Sequence, residues 1–291
     1  MKKLTELTKA KLVNLYINHK KSLGDIAALY QVSRTAIYKK LKSYGIEQRS
    51  KSEARIEAQK QGKLPQQFFD INESFFSKWS LEMAYVLGLI ITDGCISKSG
   101  TVSLSMNDKE LLEKVKKAMG SEHKVEPSKY QKNLYIFHFA RENMVKDLEK
   151  FGIVPKKSLI VTFPTVPEDY LSDFIRGVFD GDGTIYFDKR SRNCPIRTGF
   201  YSGSKDFIEK LKDSLESLGM PKKRQISQQK TKNGIYYGIR YGHKNSLKIF
   251  NILYKNTQNG LFLERKYKLF LEGLKGFEGG KLNGKGTGGV V

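Results

Sequence analysis

Two aspartates, Asp93 and Asp182, each close an apolar run on an Asp-Gly pair, VLGLIITDG ending at Gly94 and FIRGVFDGDG ending at Gly183. Each run holds one glycine five residues before its aspartate, Gly88 or Gly177. On a 3.6-residue helix that glycine leaves a stripe with little side-chain bulk, where a second backbone can approach closely. The two runs are therefore expected to pack against each other as helices. Gly94 and Gly183 are expected to be the left-handed residues that end them. Each aspartate then falls in the last turn, beside unpaired carbonyls and at the negative end of the helix dipole. Two carboxylates brought together there repel unless divalent cations sit between them, and their oxygen surroundings suit Mg²⁺, with Mn²⁺ as the second choice.

A single Asp-Gly is a common hairpin turn, and one apolar run with a glycine is ordinary core packing. Two copies at a constant offset, each followed by similar strand and helix signals, indicate an internal duplication instead. LGLIITDG and GVFDGDG resemble the two signature helices of the LAGLIDADG homing endonucleases, in the single-chain form that carries both pseudo-symmetric halves, over roughly residues 68–275. Copy two is close to the motif, whereas copy one has Ile91 and Thr92 where the motif carries Asp and Ala. The resemblance implies an α+β core whose antiparallel sheets lie on DNA. It makes Asp93 and Asp182 the metal-binding and catalytic residues. It also implies one basic residue per half near the scissile phosphates, matched here by Lys157 and Lys266, with Lys156 and Arg265 as the neighbouring alternatives.

The elements that must hold these residues follow from periodicity. After a first signature helix over Leu81 to Asp93, alternation predicts strands at Cys95 to Ser97 and Thr101 to Met106, then a helix from Asp108 to Met119. Strands near His123 to Val125 and Leu134 to Phe139 and a helix over Arg141 to Phe151 complete the half. The second half repeats the order, with strands Thr184 to Phe187, Ile196 to Tyr201, Arg224 to Gln229 and Ile235 to Tyr241. Its helices are Ser204 to Leu218, Lys244 to Leu253 and Leu261 to Leu271. Each half reads αββαββα. One strand face is apolar; the other is expected to carry Lys124, Lys129, Arg190, Arg192, Arg197, Arg224, Gln228, Lys230 and Arg240, a wet basic face of the kind that can lie along a major groove.

Upstream, Leu12, Leu15, Ile26, Leu29, Val32, Ile37 and Leu41 fit three short amphipathic helices, with a second helix starting near Ser22, a turn at Tyr30-Gln31-Val32 and Ser33 capping the third. ALYQVSRTAIYKKL resembles a helix-turn-helix of the resolvase or transposase type. The resemblance makes Arg34, Thr35, Tyr38, Lys39 and Lys42 the groove-facing residues. The domain boundaries are then 1–46 for this module, 47–67 for a basic linker, 68–167 and 168–275 for the two repeats, and 276–291 for a flexible glycine-rich tail. GIEQRSKSEA, which runs into the linker, resembles the tail that follows similar modules in selfish-element nucleases, and the resemblance implies that it tracks along DNA; a solvated tether is the equal alternative.

Composition agrees with a polyanionic partner. Lys and Arg total 52 against 30 acidic residues, a net charge of +22 with a pI near 9.7, and residues 1–63 hold 15 basic and 5 acidic side chains. The apolar stretch Val86 to Ile91 is far too short to span a bilayer, and no secretory signal is visible, which leads to a cytoplasmic, nucleoid-associated expectation. Cys95 and Cys194 form neither a disulfide framework nor a thiolate site. His19, His123, His138 and His243 have no ligand spacing. The expected function is site-specific double-strand DNA cleavage by a monomer using Mg²⁺, without a protein partner. The alternatives are a non-cleaving transcription regulator on the same fold and an intron maturase that binds RNA.

Overall fold

The computed structural model describes residues 4–63, 69–154, 161–190, 195–222, 224–231 and 234–282, in two compact units, Met1–Phe68 and Phe69–Val291, each with its own core.

In the N-terminal unit, a 3₁₀ turn at Leu4–Glu6 precedes α1 (Lys9–Val13), which Thr8 caps and which runs on into a π-helical turn at Asn14–Asn18. Helix α2 (Leu23–Tyr30) starts where expected, because Ser22 and Asp25 exchange reciprocal hydrogen bonds of 3.1 and 2.9 Å. It ends at Gln31, which is left-handed (φ 54°). Ser33 accepts from the Ala36 N–H at 3.2 Å and opens α3 (Arg34–Ser43). Leu12, Tyr16, Ile26, Ile37 and Leu41 fill the core between them.

The segment expected to be a linker is part of this unit. Residues Lys51–Lys60 form a helix, α4, whose start is secured by reciprocal hydrogen bonds between Ser50 and Glu53 (2.7 and 3.2 Å). Just before it, the Arg49 guanidinium lies over the Tyr16 ring at 4.2 Å and donates to the carbonyls of Lys20 (3.1 Å) and Lys21 (2.5 Å). After it, Gln61 donates to the Lys20 carbonyl at 3.1 Å, and Lys63 pairs with Asp25. Polar composition concealed this docking because, among the described side chains, charge-assisted hydrogen bonds and a ring contact make it. Residues 64–68 lie outside the described residues.

The second unit is organised by α5 (Leu81–Asp93) and α8 (Glu168–Asp182). These pack so closely that a Cβ on Gly88 would stand 2.3 Å from the Phe174 carbonyl oxygen, and one on Gly177 would stand 2.1 Å from that of Tyr85. The two glycines are there for approach, as their spacing predicts. Gly94 and Gly183 correct the expectation made for them: both are extended (φ −85° and −72°), not left-handed. Their reason is again space, since a Cβ at either would come within 2.5 Å of the carbonyl oxygen one turn back, Ile90 or Phe179. Each helix therefore passes into a strand with almost no intervening loop.

Those strands begin two antiparallel four-stranded sheets of matching topology. The first contains β1 (Gly94–Ile96), β2 (Val102–Met106), β3 (Val125–Pro127) and β4 (Tyr135–Phe139), in the order β1-β2-β4-β3. The second contains β5 (Thr184–Phe187), β6 (Ile196–Ser202), β7 (Ser227–Thr231) and β8 (Gly234–Tyr241), in the order β5-β6-β8-β7. Helices α6 (Lys109–Ala118), α7 (Glu142–Lys150), α9 (Lys205–Ser217) and α10 (His243–Leu253) complete the duplicated αββαββα pattern, and α11 (Glu264–Leu282) follows. Strand residues such as Leu104, Phe137, Phe200 and Ile239 and helix residues such as Leu112, Leu148, Leu211 and Ile249 share one core. Helix α11 runs past residue 275, where the tail was expected to begin.

Candidate functional site

The packing of α5 on α8 brings their C-terminal ends together. A Cβ on Gly181 would lie 3.2 Å from Asp93 Oδ2 and 2.0 Å from Thr92 Oγ1, so the carboxylate of the first half reaches the backbone beside that of the second. Thr92, one of the two departures from the motif in copy one, fits because copy two has Gly181 opposite it. Asp93 is half-buried and Asp182 exposed. Ile91, Thr92, Val161, Asp182, Tyr201 and Phe207 line a cavity of about 320 Å³ at this end of the helix pair.

Lys266, on the first turn of α11, sits beneath this point with 3% of its surface exposed. Its ammonium donates to the carbonyls of Phe179 (2.5 Å), Asp180 (2.9 Å) and Gly183 (2.5 Å), at and just past the end of α8. Burial pulls its pKa down to about 8, against the opposing fields of Asp180, Asp93 and Asp182. Lys266 is thus within the electrostatic reach of both aspartates. Its neighbour Arg265 points elsewhere, to Asp108 at 3.2 Å. Lys157, with its alternative Lys156, lies outside the described residues.

A polar network that the sequence reading missed stands behind the pair. Asp180 is buried and accepts from Tyr85 Oη (2.8 Å), Tyr254 Oη (3.4 Å) and the Leu263 N–H (2.8 Å). Burial raises its pKa, and burial beside that carboxylate holds both tyrosines well above their ordinary range. One turn back, Arg176 pairs with Asp173 at 2.7 Å and donates to the carbonyls of Leu253 (2.7 Å) and Leu261 (2.9 Å), all without solvent exposure. Together these tie α8 to the 253–263 segment and so seat Lys266. The available signal was Arg176 itself, a cation next to the packing glycine Gly177, where burial requires partners.

The residues expected on one basic strand face divide. Arg190, Arg197, Arg224 and Arg240 do come together around a cavity of about 370 Å³, with Asp188 binding Arg190 (3.0 Å) and Arg197 (3.5 Å). Cross-strand partners share a face, and the pairs Tyr186 with Arg197, Gly199 with Arg240 and Tyr236 with Gln229 define the solvent side of the second sheet. Gln228 and Lys230 pair with Tyr237 and Ile235, so they lie on the opposite face. The expectation for them is corrected: the register of β7 on β8 puts Gln229, not Gln228 or Lys230, on the face of Arg240, and a one-residue shift of register flips every side chain. Arg224 stands outside the strands, 5.5 Å over the Tyr241 ring. Lys124 and Lys129 are exposed beside β3 and in the β3–β4 connection, not within a strand. Arg192 lies outside the described residues.

In the N-terminal unit, Arg34, Thr35, Tyr38, Lys39 and Lys42 are all exposed on α3, while Ile37 and Leu41 between them are buried. Among the described residues no group of three or more His, Cys, Asp or Glu is placed to hold a metal ion, and no helix is long and apolar enough to cross a membrane.

A family model described as a LAGLIDADG-like domain matches residues 80–152 and again residues 169–254. A second, described as a putative helix-turn-helix protein, YlxM / p13 like, matches residues 2–77. No curated protein matches the chain. Among solved structures it is similar to the meganuclease I-SmaMI bound to uncleavable DNA, at 12% identity over 71% of this chain and 91% of that one, with a TM-score of 0.48. It is also similar to the I-LtrWI LAGLIDADG homing endonuclease bound to target DNA (14% identity, 73% and 92% covered, TM-score 0.44). The N-terminal LAGLIDADG domain of DUF199/WhiA is a third (16% identity, 68% and 93% covered, TM-score 0.43). Since the model matches both halves, at the helices whose ends carry Asp93 and Asp182, and spans more than half of the sequence, the chain belongs to the LAGLIDADG-like domain family.

Proposed function

We propose that the protein is a monomeric, site-specific DNA endonuclease of the homing type, acting on double-stranded DNA in the cytoplasm or nucleoid and hydrolysing one phosphodiester in each strand of a long asymmetric target. The observation that carries this reading is the convergence of Asp93 and Asp182 at the ends of two helices packed through glycine. A carboxylate pair brought together at two helix ends offers the clustered negative oxygens that a divalent cation would bind. The donor set fits Mg²⁺: two carboxylates and nearby backbone carbonyls are all oxygen, and this ion keeps several waters and shares its shell with substrate phosphates instead of requiring a complete protein cage. Asp93 and Asp182 would hold it, and Mn²⁺ would be accommodated by the same oxygens. When bound, the ion supplies a water of lowered pKa and neutralises charge on the phosphate.

The chain's own residues do the rest. The glycine crossing fixes the separation of the two carboxylates, and Lys266 adds a positive charge beside them where a scissile phosphate would gain negative charge. The exposed strand face of the second sheet and the outer face of α3 would hold the duplex. Selection of cleaved duplexes from a randomised library in Mg²⁺, with Ca²⁺ as the control, should yield one long asymmetric site. Asp93→Asn and Asp182→Asn should each abolish double-strand cutting while retaining binding to that site. A double variant cutting at the wild-type rate would overturn the assignment. Wild-type protein that binds a selected site but never cuts it would be a regulator on this fold.

A further inference from the structure

The two sheets present different chemistry to whatever covers them. In the first, the register places Cys95, Ser103 and His138 in one cross-strand row and Ser105, Ile136 and Glu126 in the next, so the strands themselves offer no lysine or arginine on that face. The cations nearest these strands in the chain lie outside them, at Lys98, Lys124, Lys129 and Lys132, all exposed. In the second sheet two arginines, Arg197 and Arg240, stand on the strands themselves, and each has a side-chain partner. Tyr201 lies across Gly199 and Gly238, where a Cβ would stand 2.9 and 2.6 Å from its side chain, so the glycines form a floor for the ring. Its hydroxyl accepts from Arg240 Nε at 2.9 Å. Asp188 likewise holds Arg197, and Gln229 shares the face one strand over.

Flexible lysines at loop tips meet phosphates as point charges and carry no base information, whereas oriented guanidinium and amide groups make bidentate contacts, arginine to guanine and glutamine to adenine. We propose that sequence readout by the core is concentrated in the half-site beneath the second sheet, through Arg240, Arg197 and Gln229, and that the half-site beneath the first sheet is held chiefly by lysine–phosphate contacts and tolerates base changes. This rests on the reading of the protein as a DNA-binding LAGLIDADG enzyme.

The test uses the full-length protein and the duplex it selects from a randomised library, with every base pair substituted singly and binding measured in Ca²⁺, independently of cleavage. Cys95 is exposed on the first sheet. An iron chelate attached there in a Cys194→Ser background marks by strand scission which half-site the first sheet covers. Substitutions in the unmarked half should weaken binding roughly 5- to 150-fold at several positions, and those in the marked half should be near neutral. Arg240→Ala should relax the requirement at one position, whereas Lys129→Ala should weaken all duplexes alike and reduce the salt slope by about 0.9. Equal intolerance in both halves, or greater intolerance in the marked half, overturns this inference and leaves the proposed function standing. Failure to select any site overturns both.

Discussion

A single methyl group placed at the helix crossing probes the arrangement on which the carboxylate pair depends. In Gly177→Ala the new Cβ would lie 2.1 Å from the Tyr85 carbonyl oxygen, 3.0 Å from Gly88 Cα and 3.0 Å from the Leu89 nitrogen. All three are backbone atoms inside a helix, so no side chain can swing aside. Reaching ordinary contact distance requires the helices to part by more than about 1 Å, which loosens the packing of Tyr85, Leu89, Phe174 and Val178 around the crossing. Overpacking of this kind costs about 1–3 kcal/mol. Part of that is offset by the better helix propensity of alanine, up to about 1 kcal/mol. For a unit of this size, a net loss of about 2 kcal/mol corresponds to a fall in Tm of about 4–8 °C. The carboxylates should separate as well, so cutting should fall more steeply than stability does. Denaturant melts, together with cleavage rates on a selected duplex at a temperature where the variant is fully folded, provide the check. Gly24→Ala is the control, since its nearest neighbour would be 3.5 Å away and it should be neutral or slightly stabilising. A Gly177→Ala protein with unchanged midpoint and rate would show that the crossing does not set the site.

Lys266, held down to about 8 by burial, binds fewer protons in the folded than in the unfolded chain between that pH and 10.5. Its contribution to stability therefore rises with pH across this window, by at most about 3 kcal/mol. Against Lys266→Met the wild type should gain in denaturant melts over the same range; parallel curves would contradict the burial. Asp25 is depressed to about 2, first by its hydrogen bond from Lys63 and then by the Ser22 N–H, so it stabilises the N-terminal unit above pH 3.8 and this is lost as pH falls towards 2. Asp25→Ala should cost about 1 kcal/mol at neutral pH and flatten the acid limb of the melt. Deleting residues 1–63, the whole docked module including α4, should leave the position of cutting unchanged. It should shorten the footprint on one flank and flatten the salt dependence of binding; an unchanged footprint would remove the module from the interface.

Where local chemistry decides structure, the sequence was readable. Ser22 and Ser33 cap the helices they were expected to open, and α5 spans Leu81 to Asp93 as expected for the first signature helix. Gly88 and Gly177 mark the crossing because only missing bulk permits it. What was misread depended on partners distant in the chain. The parity of β7 is fixed by its pairing with β8, the docking of Arg49 by carbonyls some thirty residues earlier, and the burial of Asp180 by Tyr85, Tyr254 and Leu263 from three other segments. Gly94 and Gly183 show a further ambiguity, because a glycine required for space looks the same in sequence as one required for a left-handed turn.

The contact between Thr92 and Gly181 bears on how such a gene can be divided and recombined. Two first halves assembled as a homodimer would set threonine against threonine where even a lone Cβ comes within 2.0 Å of the hydroxyl oxygen. Two second halves would escape that collision, but at the position of Tyr85 they would present Phe174, and the buried Asp180 would lose its shortest hydroxyl partner. Neither copy can therefore return to a symmetric ancestor by deletion of the other. Chimaeras that exchange one half with a relative should work only when Thr92 and Gly181, and Tyr85 and Asp180, travel as matched pairs, so the unit of inheritance at this crossing is the pair of helices and not the repeat.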